Sequence, residues 1–285
     1  MVGSKGAFTM ARVRAMAGFR YLVAIVLALA LLIPLLWALS GALHTNANLF
    51  AVPFAWIPSP IEWANFARAW QSGDFGRQTL NSFLIAFVIS VVGVGLGQMA
   101  GYALAKFRFL GRDLIFWSII STLTLPFPAI MVPVFIVAKD LGLVNSYLGV
   151  IVPGLITAQI VFFMRQYLIG IPQEVLDAAR VDGASDLGIY WRIVMPMAWP
   201  VTAAMGILTF VGSWNNLLWP LIVIQSAQLF TLPLGLTQFS SQYFTNYVDV
   251  LALSLVSIVP VIILFLIVRR RLLDAIMVGG GSVTG

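Results

Sequence analysis

The stretch YLVAIVLALALLIPLLWALSGAL, residues 21–43, contains no charged residue. A helix needs about 20 mainly apolar residues to cross a bilayer core, so this run is long enough for one span. Working outward, similar charge-free runs recur at Phe83–Ala105, Leu114–Ala138 and Leu141–Met164. The charge-free stretch Ile193–Val248 is too long for one span and divides into a span at about 200–224 and a polar loop at Gln225–Tyr247. A last apolar run covers Val250–Val268. Prolines 34, 126, 128, 133, 153 and 260 fall inside these runs. Neighbouring helices can satisfy the backbone groups that proline frees, so the assignment stands. The expected fold is an all-α integral membrane protein with six spans, at about 21–43, 83–105, 114–138, 144–164, 200–224 and 250–268.

Composition agrees. Of 285 residues, 61% are hydrophobic and only 9% are charged, against roughly 25% charged in a soluble domain. The first run is longer than a signal-peptide core and is not followed by a small-x-small cleavage site, so it is expected to be retained. Orientation follows from the basic residues in the short loops. Lys5, Arg12, Arg14 and Arg20, then Lys106, Arg108 and Arg112, then Arg165, Arg180 and Arg192, then Arg269, Arg270 and Arg271 all fall on one side. Only Arg68, Arg77 and Lys139 fall on the other. This predicts cytoplasmic tails at 1–20 and 269–285. The net charge of +6 is thus a topology signal, and no nucleic-acid partner is expected.

In the first outer loop, Ser59-Pro60-Ile61-Glu62 has the pattern of a capping box with proline at the first helical position. Trp63, Phe66, Ala67 and Trp70 follow at helical spacing, which predicts a short helix at the membrane surface. Gly93, Gly97 and Gly101 form a tandem small-xxx-small face. Such a face brings helix backbones together, either within the chain or against a partner.

The most informative loop is IPQEVLDAARVDGASDLGIYWRIVMP, residues 171–196. It reads as helix, turn, helix. Pro172 suits a helix start, and Glu174 and Asp177 lie near that positive end. Val175, Ala178 and Ala179 make a narrow apolar face, Gly183 breaks the helix, and Ser185 can cap the next one. Pro196 is expected to end that second helix and begin the fifth span. Two short helices with a small-residue ridge and a glycine elbow suit docking into a groove on another protein.

This segment resembles the EAA loop of ATP-binding-cassette importer permeases of the type I fold. The family's Glu-Ala-Ala, its Gly four residues on and its Ile-x-Leu-Pro correspond to Asp177-Ala178-Ala179, Gly183 and Ile193-Val194-Met195-Pro196. Asp177 and Met195 depart from the pattern but keep an acid and an apolar side chain. Asn81-Ser82-Phe83-Leu84-Ile85-Ala86 looks like the motif at the family's second span. Trp214-Asn215-Asn216-Leu217-Leu218-Trp219-Pro220-Leu221 and Leu232-Pro233-Leu234-Gly235-Leu236 are similar to the smaller permease of maltose-type sugar importers. The resemblance implies a multi-pass subunit of the bacterial cytoplasmic membrane that moves a carbohydrate by alternating access. It makes loop 170–196 the coupling loop, with Glu174, Asp177, Ala178, Ala179 and Gly183 docking on an ATPase. It implies a second homologous permease, an ATPase dimer carrying ATP and Mg, and an extracytoplasmic solute-binding protein as partners. Glycerol-phosphate-like solutes are the alternative cargo.

ATP hydrolysis by this chain is excluded. A phosphate-binding loop needs Gly-Lys followed by Ser or Thr, whereas the only lysines, Lys5, Lys106 and Lys139, precede Gly6, Phe107 and Asp140. No cofactor is expected on the chain itself. With no cysteine and one histidine, His44, expected to be a surface residue, the inventory for an intramembrane enzyme is poor. A secondary transporter usually carries ionisable groups within its spans, and none lies deep here. Gln98, Thr122, Thr124, Gln159, Asn215 and Asn216 lie within or near spans. They suit either a solute pathway, with Trp214 as a stacking platform, or interhelical hydrogen bonds. The outer loop 238–246 is a candidate contact for the binding protein.

Overall fold

The computed structural model describes residues 4–155, 157–242 and 246–280. Among these, the regular elements are all helices: α1 (Ser4–Ala42), α2 (Ala64–Gln71), α3 (Phe75–Val88), α4 (Val94–Lys106), α5 (Arg112–Ser121), α6 (Phe127–Asp140), α7 (Tyr147–Ile151), α8 (Ala158–Ile169), α9 (Gln173–Val181), α10 (Asp186–Ile189), α11 (Met195–Trp214), α12 (Leu218–Val223), α13 (Leu232–Gln242) and α14 (Tyr247–Gly280), with short π and 3-10 turns between some of them. Among the described residues, four continuous helices are long and apolar enough to cross a membrane: Gly18–Ala42, Phe75–Lys106, Asp186–Trp214 and Tyr247–Ile267. Two bent pairs, Arg112–Thr124 with Phe127–Asp140 and Tyr147–Gly154 with Ala158–Ile169, raise the number to six if each pair is one span.

The chain divides into two compact units. One comprises residues 1–73 and 240–256. Its α2 begins at Ala64, with Trp63 as the flanking residue and no side-chain cap. The capping box expected at Ser59 does not form, because the Glu62 N–H is spent on the Leu43 carbonyl (2.9 Å). His44, expected at the surface, is buried. Its Nδ1 lies 2.7 Å from the Ser40 carbonyl, and its ring stacks on Phe54. Asn65 Nδ2 donates to the Ala42 and His44 carbonyls. Arg68 donates to Asp249 Oδ1 at 2.7 Å and to Asn65 Oδ1. That hydrogen bond to Asp249 is the main reason the Arg68 pKa is raised, with burial opposing it.

The other unit comprises residues 74–239 and 257–285. Its central feature is the seam between α4 and α8. An added Cβ at Gly93 would strike the Leu155 carbonyl oxygen. At Gly97 it would come within 2.5 Å of Ile160 Cγ2, and at Gly101 within 2.8 Å of Met164 Cβ and 2.9 Å of Arg165 N. The small-xxx-small face therefore packs inside the chain, where missing side chains let two backbones meet. Around it lie Tyr102, Met164, Leu168, Ile171, Leu176, Ile189, Tyr190 and Val194 in one buried cluster.

The expected third span is broken. Helices α5 and α6 meet at 109°. Thr122 and Thr124 bond back to the Ile119 and Ser121 carbonyls at 2.7 Å, competing with the helical ladder, and Pro126 then takes an extended conformation. The fifth span also differs from expectation. Pro196 does not separate loop from span, because one helix runs continuously over Asp186–Trp214. A π turn at Tyr190–Val194 precedes Pro196, which sits in the first turn of α11. That change of register accommodates a residue lacking an N–H. The polar loop expected at 225–247 contains α13. It is pinned by Asn81, whose Nδ2 donates to the Gln228 and Phe230 carbonyls (2.9 and 3.0 Å), and by Ser82 Oγ, which accepts from Leu232 N (2.7 Å).

Gly97→Val is expected to destabilise the fold by about 1–3 kcal/mol through overpacking. Gly95→Val, whose Cβ would meet nothing within 4 Å, should leave stability unchanged. Thermal unfolding in detergent distinguishes the two.

Candidate functional site

The loop at 170–196 is a preorganised elbow. Its first arm, α9, follows Pro172, carries Glu174 in its first turn, and is fixed by Leu176, which is fully buried among Leu168, Ile171, Ile189 and Tyr190. Leu176 was not among the expected site residues. Ala179 is partly buried against the same cluster. The buried edge of α9 therefore runs through 176 and 179. Glu174, Val175, Asp177 and Ala178 are exposed.

The helix ends in a Schellman motif. Ala184 N donates to the Ala179 carbonyl and Gly183 N to the Arg180 carbonyl, both at 3.0 Å. This geometry places the residue after the cap in the left-handed region, and Gly183 has φ +84°. An added Cβ there would meet nothing within 4 Å, so the glycine is required for its backbone angle and not for space. Ser185 Oγ then accepts from Gly188 N (3.2 Å) and caps α10 as expected.

Arg180 ties the two arms together. Its guanidinium bonds Asp177 Oδ1 (2.8 Å) on α9 and Asp186 Oδ1 (3.1 and 3.2 Å) on α10. The bond to Asp186, then that to Asp177, raises its pKa against the opposing effect of burial. Sequence reading counted Arg180 only as a topology marker, and its role shows in the i, i+3 spacing from Asp177 and its reach across the turn. Lys106, at the end of α4, donates to the Ile169 and Ile171 carbonyls, fixing the approach to α9. The elbow presents an exposed acidic and small-residue face, flanked by exposed Val181, Leu187 and Trp191. Its rigidity comes from within the chain.

A second feature is a groove of about 380 Å³ whose polar lining is Thr157, Gln159, Thr209, Ser213 and Asn216. Of the seven expected pathway residues, it brings Gln159 and Asn216 together and adds three hydroxyls that sequence reading missed. The other residues lie elsewhere. Gln98 is fully buried, and its Oε1 accepts from Thr202 Oγ1 (3.1 Å), an interhelical bond between α4 and α11. Trp214 is buried and stacked on Phe210 (5.9 Å, 17°), so it offers no stacking platform. Thr122 and Thr124 are exposed and bonded back to the Ile119 and Ser121 carbonyls. Asn215 is exposed at the end of α11. The groove has no charged lining residue and is equipped with hydroxyl and amide groups that both donate and accept.

Residues 93–275 match the family described as binding-protein-dependent transport system inner membrane component. The arabinooligosaccharides transport system permease protein AraQ of Halalkalibacterium halodurans is 41% identical over 224 residues, covering 78% of this chain and 80% of that protein. The Bacillus subtilis protein of the same name is 36% identical over 257 residues (89% and 92%). The sn-glycerol-3-phosphate transport system permease protein UgpE of Yersinia pestis is 33% identical over 260 residues (88% and 92%). Among solved structures, a chain of a bacterial ABC transporter involved in the import of the acidic polysaccharide alginate superposes with a TM-score of 0.77 at 26% identity, covering 90% of this chain and 96% of that one. The chain belongs to the family of inner membrane components of binding-protein-dependent transport systems.

Proposed function

We propose that the chain is a permease subunit of an ATP-driven importer in the bacterial cytoplasmic membrane, moving a carbohydrate inward by alternating access. Six spans with both termini cytoplasmic, the two bent pairs each counted as one span, would put the elbow on the cytoplasmic side with most of the basic loop residues. Tails 1–20 and 269–285 lie on that same side in this reading.

The observation that carries it is the elbow itself. A Schellman turn at Gly183 and the Arg180 bridge lock α9 and α10 together, and the Leu176 anchor fixes them to the body of the chain. A push on α9 is then passed on as movement rather than lost in local bending. Glu174, Asp177, Ala178, Ala179 and Gly183 are the docking residues in this reading, seated on an ATPase dimer that holds ATP and Mg. A second homologous permease completes the pathway, and a solute-binding protein delivers the cargo from outside.

The uncharged groove supports a neutral, hydroxyl-rich cargo, and relatives named for arabinooligosaccharide transport support the same class. The glycerol-phosphate reading rests on the Yersinia relative, and the groove offers no cation to a phosphate.

Purification of the tagged chain from its native membrane in mild detergent is expected to bring down a P-loop ATPase and a second permease, identified by mass spectrometry. A solitary, transport-competent chain would overturn the proposal. Gly183→Asp is expected to abolish uptake with normal membrane insertion. Gly183→Ala, which costs about 1–2 kcal/mol of left-handed strain, should reduce uptake only partly. Arg180→Ala frees Asp177 from its partner and should uncouple ATP hydrolysis from uptake more than it lowers the amount of protein in the membrane.

A further inference from the structure

The loop between α1 and α2 has a surface that neither coupling nor solute passage uses. From Thr45 to Ile61 the sequence TNANLFAVPFAWIPSPI contains no charged residue. Loops in water are polar because their backbones and side chains are hydrated. This one exposes Phe50, Val52, Trp56 and Ile57, with Val52 96% and Ile57 81% exposed.

Its position relative to α1 identifies the environment. The loop does not extend beyond the helix end but folds back along it. Ser40 Oγ donates to the Trp56 carbonyl at 2.8 Å, two residues before α1 ends at Ala42. The Phe54 ring packs against Trp37, 6.0 Å between centroids, five residues before that end. At 1.5 Å per residue, Phe54 therefore reaches about 7.5 Å down the side of the apolar helix. The loop surface is continuous with α1, whose apolar window is unburied along its whole length.

The backbone sets the depth. Irregular chain does not face lipid within the hydrocarbon core, so the loop belongs at the boundary, where headgroups and water reach its remaining N–H groups and only side chains enter the acyl region. Prolines 53, 58 and 60 have no N–H to satisfy. The Ala51 N–H bonds the Asn48 carbonyl and the Glu62 N–H bonds the Leu43 carbonyl. The rings are held in order: Phe54 on His44 at 5.1 Å, and Trp56 edge-on to Phe54 at 5.6 Å. Tryptophan and phenylalanine on an uncharged, preordered loop match the boundary between headgroups and acyl chains.

We infer that residues 50–57 form an interfacial lipid-binding hook at the membrane surface where α1 ends, with the backbone at headgroup level and the side chains of Val52, Trp56 and Ile57 reaching acyl chains.

The chain has no cysteine, so single cysteines report individual sites. Nitroxide labels at Val52→Cys and Ile57→Cys, in the full chain reconstituted into vesicles of phosphatidylethanolamine and phosphatidylglycerol, are compared with Leu31→Cys in the middle of α1 and Asp182→Cys at the elbow. Electron paramagnetic resonance then measures collision with oxygen, which concentrates in lipid, and with a water-soluble nickel chelate. The expected result is several-fold weaker nickel collision at 52 and 57 than at 182, with oxygen collision between the values at 182 and 31. Nickel collision equal to that at 182 would place the loop in water and overturn the inference. Protection from both reagents would mean that protein covers the loop, and would overturn it equally. A third variant, Phe54→Ala, should release the hook from Trp37 and raise nickel collision at 57 without changing it at 31.

Discussion

Everything in the larger unit depends on the bare seam where α4 meets α8. Apolar helices gain little from one another in lipid by hydrophobic burial alone, since the acyl chains are equally apolar. Close approach of backbones is what remains, and Gly93, Gly97 and Gly101 permit it by having no side chain where Leu155, Ile160 and Met164 arrive. The seam fixes where α8 ends, and so where Ile171 and Leu176 enter the buried cluster. The elbow inherits its position from that cluster. The loop proposed to meet the ATPase is thereby built on a helix contact that only glycine permits.

The elbow itself combines three short-range devices. A left-handed glycine turns the chain, a serine caps the next helix, and one arginine serves two aspartates on different arms. Each is a surface interaction of modest strength, as exposed ion pairs generally are. Their value is geometric, because together they leave the two arms few relative orientations.

Features that depend on local chemistry were legible in the sequence: the helical class, the small-residue face, the Gly183 turn and the Ser185 cap. Features that depend on partners distant along the chain were not. Ser59-Pro60-Ile61-Glu62 reads as a capping box, but a carbonyl at Leu43 takes the Glu62 N–H. His44 reads as a surface residue until Phe54 folds back over it. Gln98 and Trp214 look like pathway residues because polarity and aromaticity say nothing of which way a helix faces, and both turn inward. In the same way the apolar edge of α9 is offset from the one suggested by Val175 and Ala178, since Leu176 faces the body of the chain. Pro196 reads as a boundary, yet a π turn carries the helix through it.

That unbroken helix has a mechanical meaning. Asp186, which receives the Arg180 bridge, and Ser213, which lines the polar groove, lie on one rod running from Asp186 to Trp214. At 1.5 Å per residue they are about 40 Å apart along it. Near its middle to far portion the rod is held at Gly206, whose carbonyl accepts from Ser90 Oγ at 2.6 Å. To the extent that the segment beyond its π turn and Pro200 moves as one piece, a helix gripped between its ends behaves as a seesaw: a small displacement at one end appears at the other with opposite sense. On the proposed reading, one helix joins the polar groove to the arm that Arg180 bridges to the docking helix.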